Sequence, residues 1–196
     1  MDENFSTRKL LSIAELKALN TKSDLAGWAQ LGSHFGAIAL CGYLHYLAMG
    51  TWYVLATGLA LGVTINFLYA GQHELSHWTV FRTKRLNSFF GRIIGFLMLF
   101  PRDYDQVMHF AHHRWTANWE RDGELTRAPY TLTSYLLYFI GITYWWNRVT
   151  GLVRRARGII VEPYIASVHE AGIIRESRLH LLGYAAIGAA SIYFQS

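Results

Sequence analysis

Apolar and polar positions divide the chain into a short polar arm followed by long apolar stretches. Residues 1–24 are mostly polar. Within them Ser12-Ile13-Ala14-Glu15 has the form of a capping box, which predicts a brief amphipathic helix through Leu19. Asp24 can cap the helix that follows. Leu25–Ala48 and then Thr51–Ala70 are apolar over the length of about 20 residues that a bilayer span needs. Gly32 with Gly36, and Gly58 with Gly62, form small-xxx-small pairs that predict close approach of two backbones. The uncharged link at Met49-Gly50 predicts a tight outer hairpin, with both far ends of the two helices on the inner side.

The later apolar stretches read differently. Leu86–Phe100 has only 15 residues, includes Arg92 and ends at Pro101, so it predicts an interfacial or re-entrant helix. Thr131–Trp146 is rich in aromatics, among them Tyr135, Tyr138, Tyr144, Trp145 and Trp146, which favour the headgroup zone. Crossing the membrane there would also put Arg148, Arg154, Arg155 and Arg157 outside. Leu179–Phe194 begins a third span that is 16 residues long where the chain reaches Ser196. The expected fold is all-α: two full membrane spans, the start of a third, interfacial helices and a cytosolic cap bearing histidines. Residues 1–24 are the expected cytoplasmic arm, and 25–196 a membrane domain that is incomplete at its C-terminal end.

Charge strengthens this reading. From Leu25 to Phe81 the only Asp, Glu, Lys or Arg is Glu74, a pattern that leaves a water-soluble surface hard to build. The net charge is +5, and 14 of the 18 Lys and Arg lie between Arg82 and Arg178. Basic residues placed after an apolar stretch suit a cytoplasmic membrane face, whereas a nucleic-acid binder interleaves them through a polar fold. Cys41 is the only cysteine, which excludes an intrachain disulfide and a thiolate metal cluster. The start MDENFSTRKLL lacks the basic and apolar regions of a signal peptide, so the first long helix directs insertion.

The histidines carry the chemistry. Five of nine fall in two clusters just past the second apolar stretch. His73 and His77 are spaced i, i+4 and share one helix face. His109, His112 and His113 are spaced i, i+3, i+4 and converge within an arc of about 100 degrees. A pair like the first recurs by chance in a chain this rich in histidine; a triple like the second rarely does. Five imidazoles exceed what one zinc ion takes from a protein, and imidazole also suits iron. Ligation needs neutral rings, so metal affinity falls as pH drops through the imidazole range. His34 and His45 read as hydrogen-bonded structural residues within the first helix, and the isolated His169 and His180 also read as non-ligands.

With GQHELSHWTVFRTKRLN around His73–His77, HFAHHRWT around His109–His113, the trailing Arg121-Asp122-Gly123-Glu124-Leu125 and the run from Arg175 to Leu181, the chain from Asp24 onward resembles the membrane fatty acid desaturase and hydroxylase superfamily. The resemblance implies a helical membrane enzyme that uses two non-haem irons, dioxygen and two electrons to attack an unactivated C–H bond of a lipid acyl chain. It implies His73, His77, His109, His112 and His113 as iron ligands, with Asp122 and Glu124 orienting imidazoles. It implies a ferredoxin or b-type cytochrome as electron donor, with Arg82, Lys84, Arg85, Arg154, Arg155 and Arg157 as a positive docking face. The superfamily has a third histidine box that is not found before Ser196, so the chain is expected to be a fragment that binds iron poorly alone.

Two other readings stay open. His73-Glu74-x-x-His77 also fits a zinc metalloprotease motif with Glu74 as general base, which leaves the second cluster unexplained. A non-catalytic relic of the enzyme is the other.

Overall fold

A computed structural model describes residues 11–125 and 131–195 of the chain; the first ten residues of the expected arm lie outside that range. Among the described residues every regular element is an α-helix. They are α1 (Ile13–Leu19), α2 (Asp24–Leu47), α3 (Val54–Asn66), α4 (Leu68–Ser76), α5 (Lys84–Leu97), α6 (Arg102–Trp115), α7 (Leu132–Phe139), α8 (Ile142–Ala156) and α9 (Ser167–Gln195).

The capping box of α1 forms as the sequence predicts. Ser12 N–H donates to Glu15 Oε2 at 2.7 Å, and Glu15 N–H donates back to Ser12 Oγ at 3.2 Å. The cap of α2 is Ser23, not Asp24, because Ser23 Oγ accepts from Ala26 N–H. Asp24 instead reaches across the fold. Its carboxylate accepts from Thr83 N–H and from Thr83 Oγ1, both at 2.8 Å, at the start of α5. Those bonds hold its carboxyl below the ordinary value.

α2 and α3 form an antiparallel hairpin. His34 Nε2 meets Thr64 O at 2.9 Å and His45 Nδ1 meets Thr57 Oγ1 at 3.1 Å, so the paired positions run in opposite directions. Both histidines are the structural residues that the sequence suggests. The glycine pairs do less than expected. A Cβ added at Gly32, Gly36 or Gly62 would meet nothing within 4 Å; at Gly58 it would touch the ring of His45 at 3.2 Å. Histidine side chains, not glycine-to-glycine backbone contact, therefore join these helices. α3 runs into α4 through the single residue Phe67. Among the described residues Val54–Ser76 is the one helix long and apolar enough to cross a membrane, by length and composition. Leu40, Tyr46, Leu55 and Leu59 are more than half exposed along this hairpin.

α4, α5, α6 and α9 share the core. Leu68 and Leu75 of α4, Ile94 of α5, Tyr104 and Met108 of α6 and Ile173 of α9 are all buried in it. α5 is the helix expected over Leu86–Phe100, and it packs on α4 and α6. The stretch expected as one interfacial segment over Thr131–Trp146 is broken at Gly141, whose φ of +83° ends α7 and starts α8. The expected third span is the distal half of α9, a helix of 29 residues whose first turns pack on α6 and α8. Its far end exposes Ile192, Tyr193 and Phe194.

Candidate metal centre

The two histidine clusters lie on two packed helices. His73 is on α4, and His77 caps its C-terminus. The chain leaves α4 through a Schellman turn: Thr79 N–H donates to Glu74 O at 3.2 Å and Trp78 N–H to Leu75 O at 3.1 Å. Trp78 holds a φ of +54°, where glycine is usual, at a cost of about 1–2 kcal/mol. The strained turn directs the chain away right after His77. α6 follows Pro101, with Asp103 and Asp105 in its first turn and Arg114 in its last, charges favourable to the helix dipole, and His112 and His113 lie in that last turn.

Four of the five imidazoles meet. One ring nitrogen from each of His73, His77, His109 and His113 lies within 4.8 Å of every other. His77 Nε2 is 2.7 Å from His109 Nε2, and His113 Nε2 is 3.1 Å and 2.9 Å from the same two atoms. Hydrogen bonding cannot satisfy such a trio. A neutral imidazole has one N–H and one in-plane lone pair, and His109 already uses Nδ1 on Glu124 Oε1 at 3.2 Å. A metal ion can satisfy it: metal–nitrogen bonds of about 2.1 Å place neighbouring donors about 3 to 3.4 Å apart, within a few tenths of an ångström of the 2.7 to 3.1 Å separations here. The residues therefore fit a cation.

His112 stands beside this group, 5.8 Å from the His113 ring between centroids. Its Nδ1 bonds both oxygens of Asp122, at 2.9 and 3.0 Å, and its Nε2 is 3.8 Å from Glu124 Oε2. Asp122 is fully buried and also accepts from Ala117 N–H at 3.1 Å and Glu124 N–H at 2.9 Å. Burial raises the Asp122 pKa, but these hydrogen bonds outweigh it and hold the carboxyl below its ordinary value. Gly123 makes the loop possible, since a Cβ there would come within 2.6 Å of Met108 Cγ.

Two of the rings, His77 and His109, are biased toward the neutral form. Burial, then the neighbouring His73 and His113, push the His77 pKa down. Burial lowers that of His109 despite its hydrogen bond to Glu124. A cavity of about 1160 Å³ opens beside the cluster, bordered by His73 and Glu124 and walled by Tyr69, Phe100, Tyr138 and Tyr144.

Other expected residues fall elsewhere. Arg155 is buried, bonds Glu162 at 3.2 Å and stacks on Tyr104, and Arg154 bonds the same carboxylate. Arg155 is an internal fastener and drops out of the expected docking face, Arg154 is paired but partly exposed, and Arg82, Lys84, Arg85 and Arg157 are exposed. His180 is buried against Phe96 and Tyr184, and His169 is exposed, both apart from the four-ring group. Sequence reasoning did not find Arg148, whose guanidinium lies 3.8 Å from the Phe100 ring in the cavity wall. It also did not find Asp105, buried one turn before His109.

A family model described as fatty acid desaturase matches residues 50–195. A curated sn-1 oleoyl-lipid 12-desaturase from Picosynechococcus sp. is 27% identical over 114 residues, which are 58% of this chain and 32% of the relative. The chain thus spans about a third of that relative's length. No solved structure matches. The match covers well over half of the chain, including both histidine-bearing helices and the acidic loop hydrogen-bonded to their rings, and on that ground the chain belongs to the fatty acid desaturase family.

Proposed function

We propose that this chain carries metal-binding histidines of an oxygen-dependent desaturase that introduces a double bond into a lipid acyl chain. The observation that supports it most is the meeting of His73, His77, His109 and His113, from two helices, with nitrogens as close as 2.7 Å. With His112 they are the proposed ligands of two non-haem irons, which when bound would supply the dioxygen chemistry that attacks an unactivated C–H bond.

The protein's own groups prepare that site. Asp122 and Glu124 accept from Nδ1 of His112 and His109, which fixes the tautomer and leaves each Nε2 as a lone-pair donor. Tyr69, Phe100 and Tyr144 offer an apolar wall to an acyl chain entering beside His73. Hydrogen removal in two steps needs two electrons from outside, for which a ferredoxin or b-type cytochrome is the proposed donor. Arg82, Lys84, Arg85 and Arg157 are its proposed basic contacts.

The membrane placement belongs to the same reading. α2 and α3 form a hairpin in the bilayer, α9 enters it from Leu179 on, and the histidine clusters face the cytoplasm. The exposed apolar residues of the hairpin and the charged residues after Phe81 support this. A zinc protease needs only two of these rings, with Glu74 beside its water. Here Glu74 Oε2 accepts from Thr79 Oγ1 at 2.7 Å, and two further imidazoles share the site.

The test is expression of the complete reading frame in membranes, with metal content and acyl composition measured. About two irons per chain and a new unsaturated acyl product are expected, and His112→Ala should abolish the product while leaving the protein in the membrane. One zinc per chain, or undiminished product from His112→Ala, would overturn the reading.

A further inference from the structure

Asp105 sits on α6 one turn before His109, and its side chain meets α4. It is 1% exposed. Oδ2 accepts from Ser76 Oγ at 3.4 Å, and the next residue, Gln106, donates from Nε2 to the Ser76 carbonyl at 2.7 Å. Ser76 is the last residue of α4 and directly precedes His77. Consecutive residues of α6 therefore grip the residue directly before the one that carries the second imidazole.

One turn earlier on α4, Gln72 lies directly before His73. Its Nε2 donates to Phe100 O at 3.1 Å, just ahead of α6. α4 is thus tied toward α6 at both ligand-bearing turns, by Asp105 and Gln106 beside His77 and by Gln72 beside His73. The other oxygen of Asp105, Oδ1, is buried without a hydrogen-bond partner, as is Gln72 Oε1. An apolar side chain would pack two helices without that desolvation. A buried carboxylate there adds something packing does not supply, a directional contact that admits one register.

We propose that Asp105 is a positioning residue of the metal centre: its carboxylate fixes the register of α4 against α6, and so the separation of His73 and His77 from His109 and His113. This rests on the reading of those four rings as metal ligands. The requirement is strict. Helix register changes by 1.5 Å per residue, whereas metal–ligand bonds tolerate about 0.2 Å. A slip of a fraction of one residue leaves both helices packed and the donor atoms misplaced.

The test uses the product of the complete reading frame in detergent, with cobalt(II) as a spectroscopic probe. Wild type is compared with Asp105→Asn, which keeps an acceptor for Ser76, and with Asp105→Leu, which keeps volume and removes the directional contact. Asp105→Asn should bind cobalt within about threefold of wild type, with the same visible spectrum. Asp105→Leu should unfold at or above the wild-type temperature, yet bind cobalt at least tenfold more weakly with a shifted spectrum. A residue with only a structural role would lower the unfolding temperature and leave affinity and spectrum unchanged, so wild-type cobalt binding by a folded Asp105→Leu overturns the proposal. Should Asp105→Leu not fold, Ser76→Ala decides: weaker binding with a shifted spectrum supports the register role, and wild-type behaviour overturns it. Absence of cobalt binding in wild type would instead overturn the ligand reading, and this proposal with it.

Discussion

His112 donates its Nδ1 proton to Asp122, a carboxylate with no exposed surface, at 2.9 and 3.0 Å from its two oxygens. The bond is local, ten residues apart, and spans the loop that follows α6. That loop leaves the helix through Ala117 at φ +66° and returns through Gly123, which packs too close to Met108 for any side chain. Backbone strain and close packing together bring an acid under an imidazole, which presents a lone pair at Nε2.

The first prediction concerns that acid. Asp122→Asn keeps one oxygen acceptor but removes the charge that favours the donating Nδ1–H. Such partners of ligating histidines typically govern metal affinity by about 10–100-fold. Metal retention after dialysis against a graded chelator should therefore fall by that factor, with helix content unchanged by circular dichroism. Unchanged retention would show that the loop serves only the fold.

The second prediction follows from the lowered imidazole pKa values. Free imidazole has a value of 6.5; burial and neighbouring rings place His77 and His109 below it. A depressed value means that the folded site refuses protons that the unfolded chain takes up. The stability this supplies is complete above about 6.5 and is lost as pH falls from there through the lowered folded value. Bound metal should persist at pH 6.5, and both metal and fold should weaken together below it. Metal release beginning well above pH 7 would contradict the neutral-ring arrangement.

Local features were legible in the sequence and long-range ones were not. The i, i+4 spacing of His73 and His77 and the triple at His109–His113 state which helix face each ring occupies, because helical period alone decides it. The Ser12 capping box is local in the same way. Asp24 was expected to cap its own helix, and only packing reveals that it serves Thr83, 59 residues away. Arg154 and Arg155 looked like a surface charge until Glu162 folded back on them. Glycine pairs suggested backbone contact, but helix rotation put Gly32 and Gly36 on an open face. The register of α4 on α6 is likewise written in Asp105 and Ser76, residues whose types name no chemistry by themselves.

The third prediction tests the seat of α2. A Cβ on Gly27 would lie 2.5 Å from Phe81 Cδ1 and 2.6 Å from Val80 O. Phe81 cannot swing aside, since it is fully buried, and Asn87 ties its backbone at 3.0 Å and 2.8 Å. Gly27→Ala should cost about 1–3 kcal/mol, as overpacking does, lowering the unfolding midpoint in detergent. Gly32→Ala meets nothing within 4 Å and should leave that midpoint unchanged or slightly raised. Equal effects from the two would mean that α2 is not seated on the turn after α4.

The last prediction concerns topology. Pairing of His34 with Thr64 and of His45 with Thr57 makes α2 and α3 run in opposite directions. If both lie in the bilayer, the chain returns to the side from which it entered. α5 and α6 pack onto α4 through buried faces, and no described helix between α4 and Arg121 is long and apolar enough to cross back. A cysteine or epitope tag at the N-terminus and one at Arg121 should therefore be labelled from the same side of sealed vesicles. Cys41 lies within α2, so it should stay unreactive to a charged reagent added from that side. Labelling of the two tags from opposite sides would leave a single crossing at Val54–Ser76. α2 would then lie outside the membrane, and its exposed Leu25, Leu40 and Leu47 would need another partner.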